Sequence, residues 1–139
     1  MSNAESRGAN ARYTADMPRI VAVVGASSDR HKFGNKALRA FRDRGETVIP
    51  INPKEPEVEG EKSYKSVLDV PGPIDMVTMY VAPAVGLKVL EEIARKGIAE
   101  VWFNPGADSP EVVERAKALG LNPIVACSIV AIGKSPSAY

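Results

Sequence analysis

The stretch Ile20-Val21-Ala22-Val23-Val24-Gly25-Ala26-Ser27-Ser28-Asp29-Arg30-His31-Lys32-Phe33-Gly34 decides the fold. Its first five residues are apolar with no polar alternation, which reads as a strand buried on both faces and therefore as part of a parallel sheet. Gly25 ends that strand and a polar loop runs to Gly34. From Asn35 to Arg44 the residues Ala37, Leu38 and Phe41 recur at helical spacing, and Gly45 supplies a left-handed stop. The stretch is thus a strand, a loop and a helix in succession.

Further along the chain the unit repeats. Thr47 to Ile51 reads as a second strand, with Pro50 lacking a ladder donor, before a turn-rich stretch from Asn52 to Gly60. A short helix or turn is expected near Ser66. Asp75 to Val81 is a third main strand, and Pro83 opens a helix that runs to about Lys96, with Val85, Val89 and Ile93 as its apolar stripe. Glu91 with Arg95 and Glu92 with Lys96 stand at i,i+4 spacing on its other side, as Glu111 and Arg115 do later. Glu100 to Phe103 gives another strand, with Trp102 and Phe103 expected in the core. Ser109 and Pro110 cap a helix that ends at Gly120, and Asn122 to Ala126 makes a last strand.

Alternating strands and helices imply right-handed crossovers. The expected class is α/β, a single Rossmann-like doubly wound domain whose open, mainly parallel sheet has five to six strands and helices on both faces. The length of 139 residues fits one domain. Residues 1–18 read as a flexible segment whose first four residues resemble a tag remnant. Residues 19–133 form the domain, and 134–139 read as a frayed tail.

Composition excludes several function classes. With 18 Lys+Arg against 17 Asp+Glu the net charge is +1, without the basic excess of a nonspecific nucleic-acid binder. No apolar run approaches the roughly 20 residues of a membrane span. Cys127 is the single cysteine and His31 the single histidine, too few for a usual structural zinc site or an internal disulfide. The expected setting is the cytoplasm, as a monomer or a homodimer formed through the helix from Pro83 to Lys96.

In open parallel sheets ligands bind beyond the carboxyl ends of the strands, where strand order reverses. The first loop looks like a phosphate cradle there: small residues admit backbone N–H groups to an anion, Ser27 and Ser28 offer hydroxyls, and Arg30 and Lys32 offer charge. The dinucleotide fingerprint G-x-G-x-x-G is not met, since Gly25 is followed by Ala26-Ser27-Ser28-Asp29-Arg30. The end of the second strand holds Asn52-Pro53 in place of the acid that would bind a ribose. The Walker pattern is absent as well. No acid–base or nucleophile constellation is visible: His31 reads as a surface residue, Asp75 and Asp108 as turn and cap residues, and Cys127 as a small buried thiol.

Taken together, Val23-Val24-Gly25-Ala26-Ser27, Lys32-Phe33-Gly34, Val48 to Pro53, Gly60, Ile74 to Val77 and Val101 to Gly106 resemble the small CoA-binding proteins. These are similar to the CoA-binding domain of the succinyl-CoA synthetase alpha subunit. The resemblance covers about Pro18 to Ile132. It implies a Rossmann-like domain that binds coenzyme A or an acyl-CoA without catalysis, with Gly25, Ala26, Ser27, Ser28, Lys32, Phe33 and Gly34 around the phosphates. Asn52 and Pro53 would flank the nucleotide end, and Tyr80, Val81 and Pro83 would line the site. Asn104, Gly106 and Cys127 would stand at the last two strand ends. Two departures are plain. The arginine that members often carry soon after the Tyr80 position is replaced by Val81-Ala82-Pro83, and Val125-Ala126 precede Cys127 where a polar or basic residue is common. His31 does not match the synthetase's phosphorylated histidine, so synthetase activity does not follow. The alternatives are an NAD(P)-binding oxidoreductase-like domain and a regulatory interaction domain with a vestigial pocket.

Overall fold

The central strand is β1 (Ile20–Val24), which pairs in parallel with β2 (Thr47–Ile51) on one side and β5 (Met76–Met79) on the other. β6 (Glu100–Phe103) and β7 (Asn122–Val125) continue the sheet beyond β5, giving the order β2-β1-β5-β6-β7, parallel throughout. The structure is a computed structural model and describes residues 18–139. The expected flexible segment, residues 1–18, lies but for Pro18 outside the described residues.

Strand geometry sends successive side chains to opposite faces, and each face of this sheet has its own cover. Val21, Val23 and Met76 pack with α1 (Phe33–Asp43), through Ala37, Leu38 and Phe41, and with Ile129 of α4 (Ser128–Ala131). Ala22, Val24, Val77 and Met79 pack on the other face against α2 (Pro83–Lys96) and α3 (Pro110–Ala118). The fold is therefore α/β and Rossmann-like, with helices on both faces of a five-stranded parallel sheet. Burying each large apolar side chain contributes about 1.5–3 kcal/mol, so these two layers are the main source of stability.

Four sequence expectations change. The stretch read as a turn contains a two-stranded hairpin, β3 (Glu57–Val58) and β4 (Glu61–Lys62). Glu59 and Gly60 form its turn with φ of 52° and 80°, the two positive values that a tight hairpin turn demands. The buried stripe of α2 is Gly86, Leu90 and Ile93, whereas Val85 is half exposed. The i,i+4 pairs are replaced by contacts between elements: Glu91 with Arg115 of α3, Glu92 with the Ser66 hydroxyl, and Lys96 with the Val70 carbonyl. Finally, the segment read as a frayed tail carries a short 3-10 turn at Pro136–Ala138. Tyr139 packs under Arg39 of α1, with 5.5 Å between guanidinium and ring centre.

Both edges of the sheet hold a proline. Gly25 N–H donates to Ile51 O (3.1 Å), and Tyr64 N–H donates to Pro50 O (3.1 Å), so Pro50 points away from β1. Asn122 and Ala126 donate inward to Ala99 and Phe103 at 2.8 and 3.2 Å, which turns Pro123 and Val125 outward on β7.

Beneath the carboxyl ends of β5 and β6 lies a buried polar network. Asn104, 1% exposed, donates to Thr78 Oγ1 (2.7 Å) and Met79 O (3.0 Å) and accepts the Ser128 N–H (2.8 Å). The Ser128 hydroxyl in turn bonds Thr78 Oγ1 at 2.8 Å and the Tyr80 hydroxyl at 3.2 Å. Two strand ends and α4 are thereby joined through one amide. Burial pushes the Tyr80 phenol up to about 12 from its ordinary 10.0, with the Ser128 hydrogen bond opposing.

Glycine is required where the first loop meets its neighbours. At Gly34 a Cβ would stand 2.2 Å from the Gly25 carbonyl oxygen, and at Gly25, with φ of 92°, 2.8 Å from the Tyr80 carbonyl oxygen. Gly34→Ala is expected to cost about 3 kcal/mol or more, because both clashing groups are backbone. At Gly86 a Cβ would make only ordinary contacts, the nearer at 3.5 Å to Met79 Cε, so Gly86→Ala in α2 is expected to stabilise by about 0.5–1 kcal/mol. Urea denaturation of the two variants tests both signs. Asn104→Ala, which orphans the buried Ser128 N–H, is expected to cost about 2–3 kcal/mol in the same assay. Because the folded-state pKa of Tyr80 is raised, stability from its neutral phenol is full below pH 10 and is lost as pH rises toward 12. Ultraviolet titration should show a late-ionising tyrosine that disappears in Tyr80→Phe.

Candidate functional site

Strand order reverses between β1 and β5, since the chain goes from β1 outward to β2 and then returns to the far side of β1. The loops after these two strands diverge and leave a cleft, the place where such sheets take ligands. The cleft here holds about 390 Å³. Gly25 forms its floor, Lys32, Phe33 and Gly34 one wall, Tyr80 and Val81 a second, and Gly106 a third. The missing side chains of Gly25 and Gly34 let the loop pack tightly enough for the start of α1 to face this space. The first N–H groups of a helix have no intrahelical acceptor and carry partial positive charge. Lys32, the N-cap residue, adds a full one.

The loop's other polar groups are committed elsewhere. The Ser27 hydroxyl accepts the Asp29 N–H at 3.0 Å, and the Ser27 carbonyl accepts from Asn35 Nδ2 at 2.8 Å. Both the N–H and the hydroxyl of Ser28 donate to Glu55, the N–H at 3.1 Å. These contacts hold the Glu55 carboxyl below its ordinary range. Arg30 pairs with Glu59 at 3.1 Å rather than facing the cleft. Glu59 itself is held low by the hydrogen bond from Asn35, and then by Arg30, Arg39 and Arg42. The His31 ring is fully exposed, 3.3 Å from Asp29; the Asp29 carboxyl is lowered chiefly by the His31 N–H.

The remaining expected residues divide into lining and framing groups. Tyr80, Val81 and Gly106 line the cleft with the loop residues. Ala26, fully buried, and Asn52 frame it: Asn52 Nδ2 donates to the Ala26 carbonyl at 2.8 Å, and Asn52 Oδ1 accepts the N–H groups of Lys54 and Glu55 at 2.7 and 3.0 Å. Asn104 lies behind the wall, its amide taken up by the network beneath β5 and β6. Pro83 occupies the first turn of α2. Cys127, half-buried at the N-cap of α4, stands outside the cleft lining. Ala82 and Pro105, inside the expected segments 80–83 and 104–106, also join the lining, as does Ala107, which the sequence did not single out.

Two further hollows extend the cleft across the strand ends. One of about 230 Å³ shares Gly25 and Val81 with it and adds Lys65 and Lys88. The next, about 450 Å³, shares Asn52, Pro53 and Lys65 with the second and adds Lys54, Lys62 and Glu55. Across the three linings five lysines (32, 54, 62, 65 and 88) meet two glutamates (55 and 92). Lys65 and Lys88 were missed because neither immediately follows a main strand. A groove of this charge suits an extended anionic ligand. The titratable residues of the first cleft are Lys32 and Tyr80, and the displaced phenol of Tyr80 is poorly matched to proton transfer near neutral pH. Among the described residues no cluster of three or more His, Cys, Asp or Glu could hold a metal ion, and no helix is long and apolar enough to cross a membrane.

Comparison with known proteins identifies the family of the domain. The Acetate–CoA ligase [ADP-forming] of Methanocaldococcus jannaschii is 43% identical over 81 residues, covering 58% of this chain and 12% of that protein. The alpha subunit of Acetate–CoA ligase [ADP-forming] II from Pyrococcus furiosus is 38% identical over 85 residues, 60% of this chain and 19% of that subunit. The chain thus spans a small part of these relatives. Among solved structures, a conserved hypothetical protein from Pyrococcus furiosus has a TM-score of 0.76 at 34% identity, covering 83% of this chain and 99% of that one. A hypothetical protein from Pyrococcus horikoshii has a TM-score of 0.78 at 31% identity, covering 88% and 87%. The family model described as CoA binding domain matches residues 19–133, almost the whole described chain. The domain is similar to that of the acetate–CoA ligases, and the chain belongs to the CoA binding domain family.

Proposed function

We propose that this chain binds coenzyme A or an acyl-CoA as a noncatalytic module, with the ligand's phosphates at the loop from Gly25 to Gly34. The observation that carries the reading is the lysine-lined groove over the β1–β5 switch point, with Lys32 at the start of α1. A nucleotide with several phosphates and a long arm needs such a run of cationic hollows more than one deep pocket. Phe33, 53% exposed at the mouth of the cleft, offers an apolar surface to the uncharged part of the ligand. Membership of the CoA binding domain family supports the same ligand.

The noncatalytic part rests on the chemistry of the lining. The Tyr80 phenol, with its pKa near 12, is not poised for acid–base work at neutral pH, and among the described residues no carboxylate, histidine or cysteine lines the first cleft. The NAD(P) alternative gains no support at the end of β2. There Asn52 spends its amide on the Ala26 carbonyl and the following turn, where a dinucleotide site wants a free carboxylate.

Calorimetry with CoA and dephospho-CoA tests the proposal: binding with Kd below about 1 mM, worth roughly 4 kcal/mol, is expected for CoA. An absence of binding by both would overturn it. Lys32→Ala is expected to weaken CoA binding by about 1–3 kcal/mol, the scale of a lost charged hydrogen bond, while the melting temperature stays near that of the unsubstituted chain.

A further inference from the structure

Ser28 presents two donors in one direction, its backbone N–H and its hydroxyl, and both are taken by a single carboxylate. Glu55 Oε2 accepts the N–H at 3.1 Å and Oε1 accepts the hydroxyl. Two oxygens of one anionic group on two adjacent donors is the arrangement that a phosphate would adopt on the same loop. Glu55 arrives there from the turn after β2, where Asn52 Oδ1 holds its own N–H at 3.0 Å. Asn52 also donates to the Ala26 carbonyl in the loop after β1, so one amide fixes both the carboxylate and the loop it occupies. Lys32 acts on Glu55 as well, adding to the stabilisation of the ionised form that Ser28 provides. The same charge consequently offsets part of the attraction that Lys32 exerts on any anion in the cleft.

We propose that Glu55 is an internal anion seated in a phosphate subsite at Ser28. A phosphate-bearing ligand reaches that subsite only by displacing it, and the competition sets the affinity of the groove. This rests on the reading of the groove as a site for a phosphate-bearing ligand. Glu55 is half-buried and Ser28 exposed, so the carboxylate can swing into solvent without unfolding the turn that carries it. A purely structural Glu55 would behave in the opposite way, since its loss would loosen the loop and weaken every ligand.

The experiment compares the unsubstituted chain with Glu55→Gln, which keeps the shape of the side chain and removes its charge. CoA is titrated calorimetrically and the Ser28 amide is followed by nitrogen-15 NMR. Glu55→Gln is expected to bind CoA about fivefold more tightly, the upper scale of an exposed charge pair, with a Ser28 amide shift that is larger than in the unsubstituted chain. Ser28→Ala should then weaken CoA binding more in the Glu55→Gln background than alone, because in the unsubstituted chain losing the hydroxyl also loosens the competing carboxylate and so offsets part of the ligand's loss. Equal or weaker CoA binding by a folded Glu55→Gln chain overturns the inference. If neither chain binds CoA, the proposed function fails, and inorganic pyrophosphate decides the role of Glu55. A Ser28 amide shift in Glu55→Gln that exceeds that of the unsubstituted chain upholds it, and no such excess overturns it.

Discussion

The approach of α1 to the loop after β1 governs the rest of this structure. At Gly34 there is no room for even one carbon beside the Gly25 carbonyl. That contact draws the first turn of the helix over the end of the central strand. Gly25, pressed against the Tyr80 carbonyl on its other side, fixes the distance between the two loops that diverge at the switch point. The cleft is therefore a product of backbone packing, and its side chains decorate a shape set by two absent ones. Interiors are packed as densely as organic crystals, so this geometry tolerates little adjustment.

Charge works at two scales here. The whole chain is nearly neutral, with net charge +1, which gives it no long-range attraction for polyanions. Locally, lysines outnumber glutamates along the groove, while elsewhere three arginines are paired with glutamates: Arg30 and Arg42 with Glu59, Arg115 with Glu91 and Arg42 also with Glu61. Exposed pairs of this sort contribute little stability. Their larger effect is to neutralise positive charge on helices and turns away from the groove.

Much of this was legible in the residues. The unbroken apolar run of β1, the prolines at the starts of α2 and α3 and the Ser109 cap, whose hydroxyl accepts the Val112 N–H at 3.2 Å, are local signals that tertiary structure did not override. The hairpin at 57–62 was not legible because two-residue strands carry no period. The stripe of α2 shifted by one position because Gly86, silent on a hydropathy reading, lies at the contact with Met79 and Val112. Pairing of Glu91 with Arg115 depends on how α2 and α3 pack, which i,i+4 spacing cannot express. At the site, the lining residues that follow strands directly were found. The engagement of Ser28 by Glu55, and the burial of Asn104 beneath the cleft wall, arise from groups brought together across 27 and 24 residues of chain and have no local signature.

The outward prolines of the two edge strands bear on how this molecule behaves in crowded solution. An open sheet ends in rows of backbone donors and acceptors that invite a strand from another molecule. Pro50 has no N–H to present, and Tyr64 already covers its carbonyl. On β7 Pro123 breaks the donor row at the middle of a four-residue strand, leaving Val125 as the outward-facing N–H that remains within it. An incoming strand would find too few bonds to hold its register. The parallel sheet thus ends at five strands, and runaway sheet extension into aggregates is resisted at both margins by a side chain that costs the inward ladder nothing.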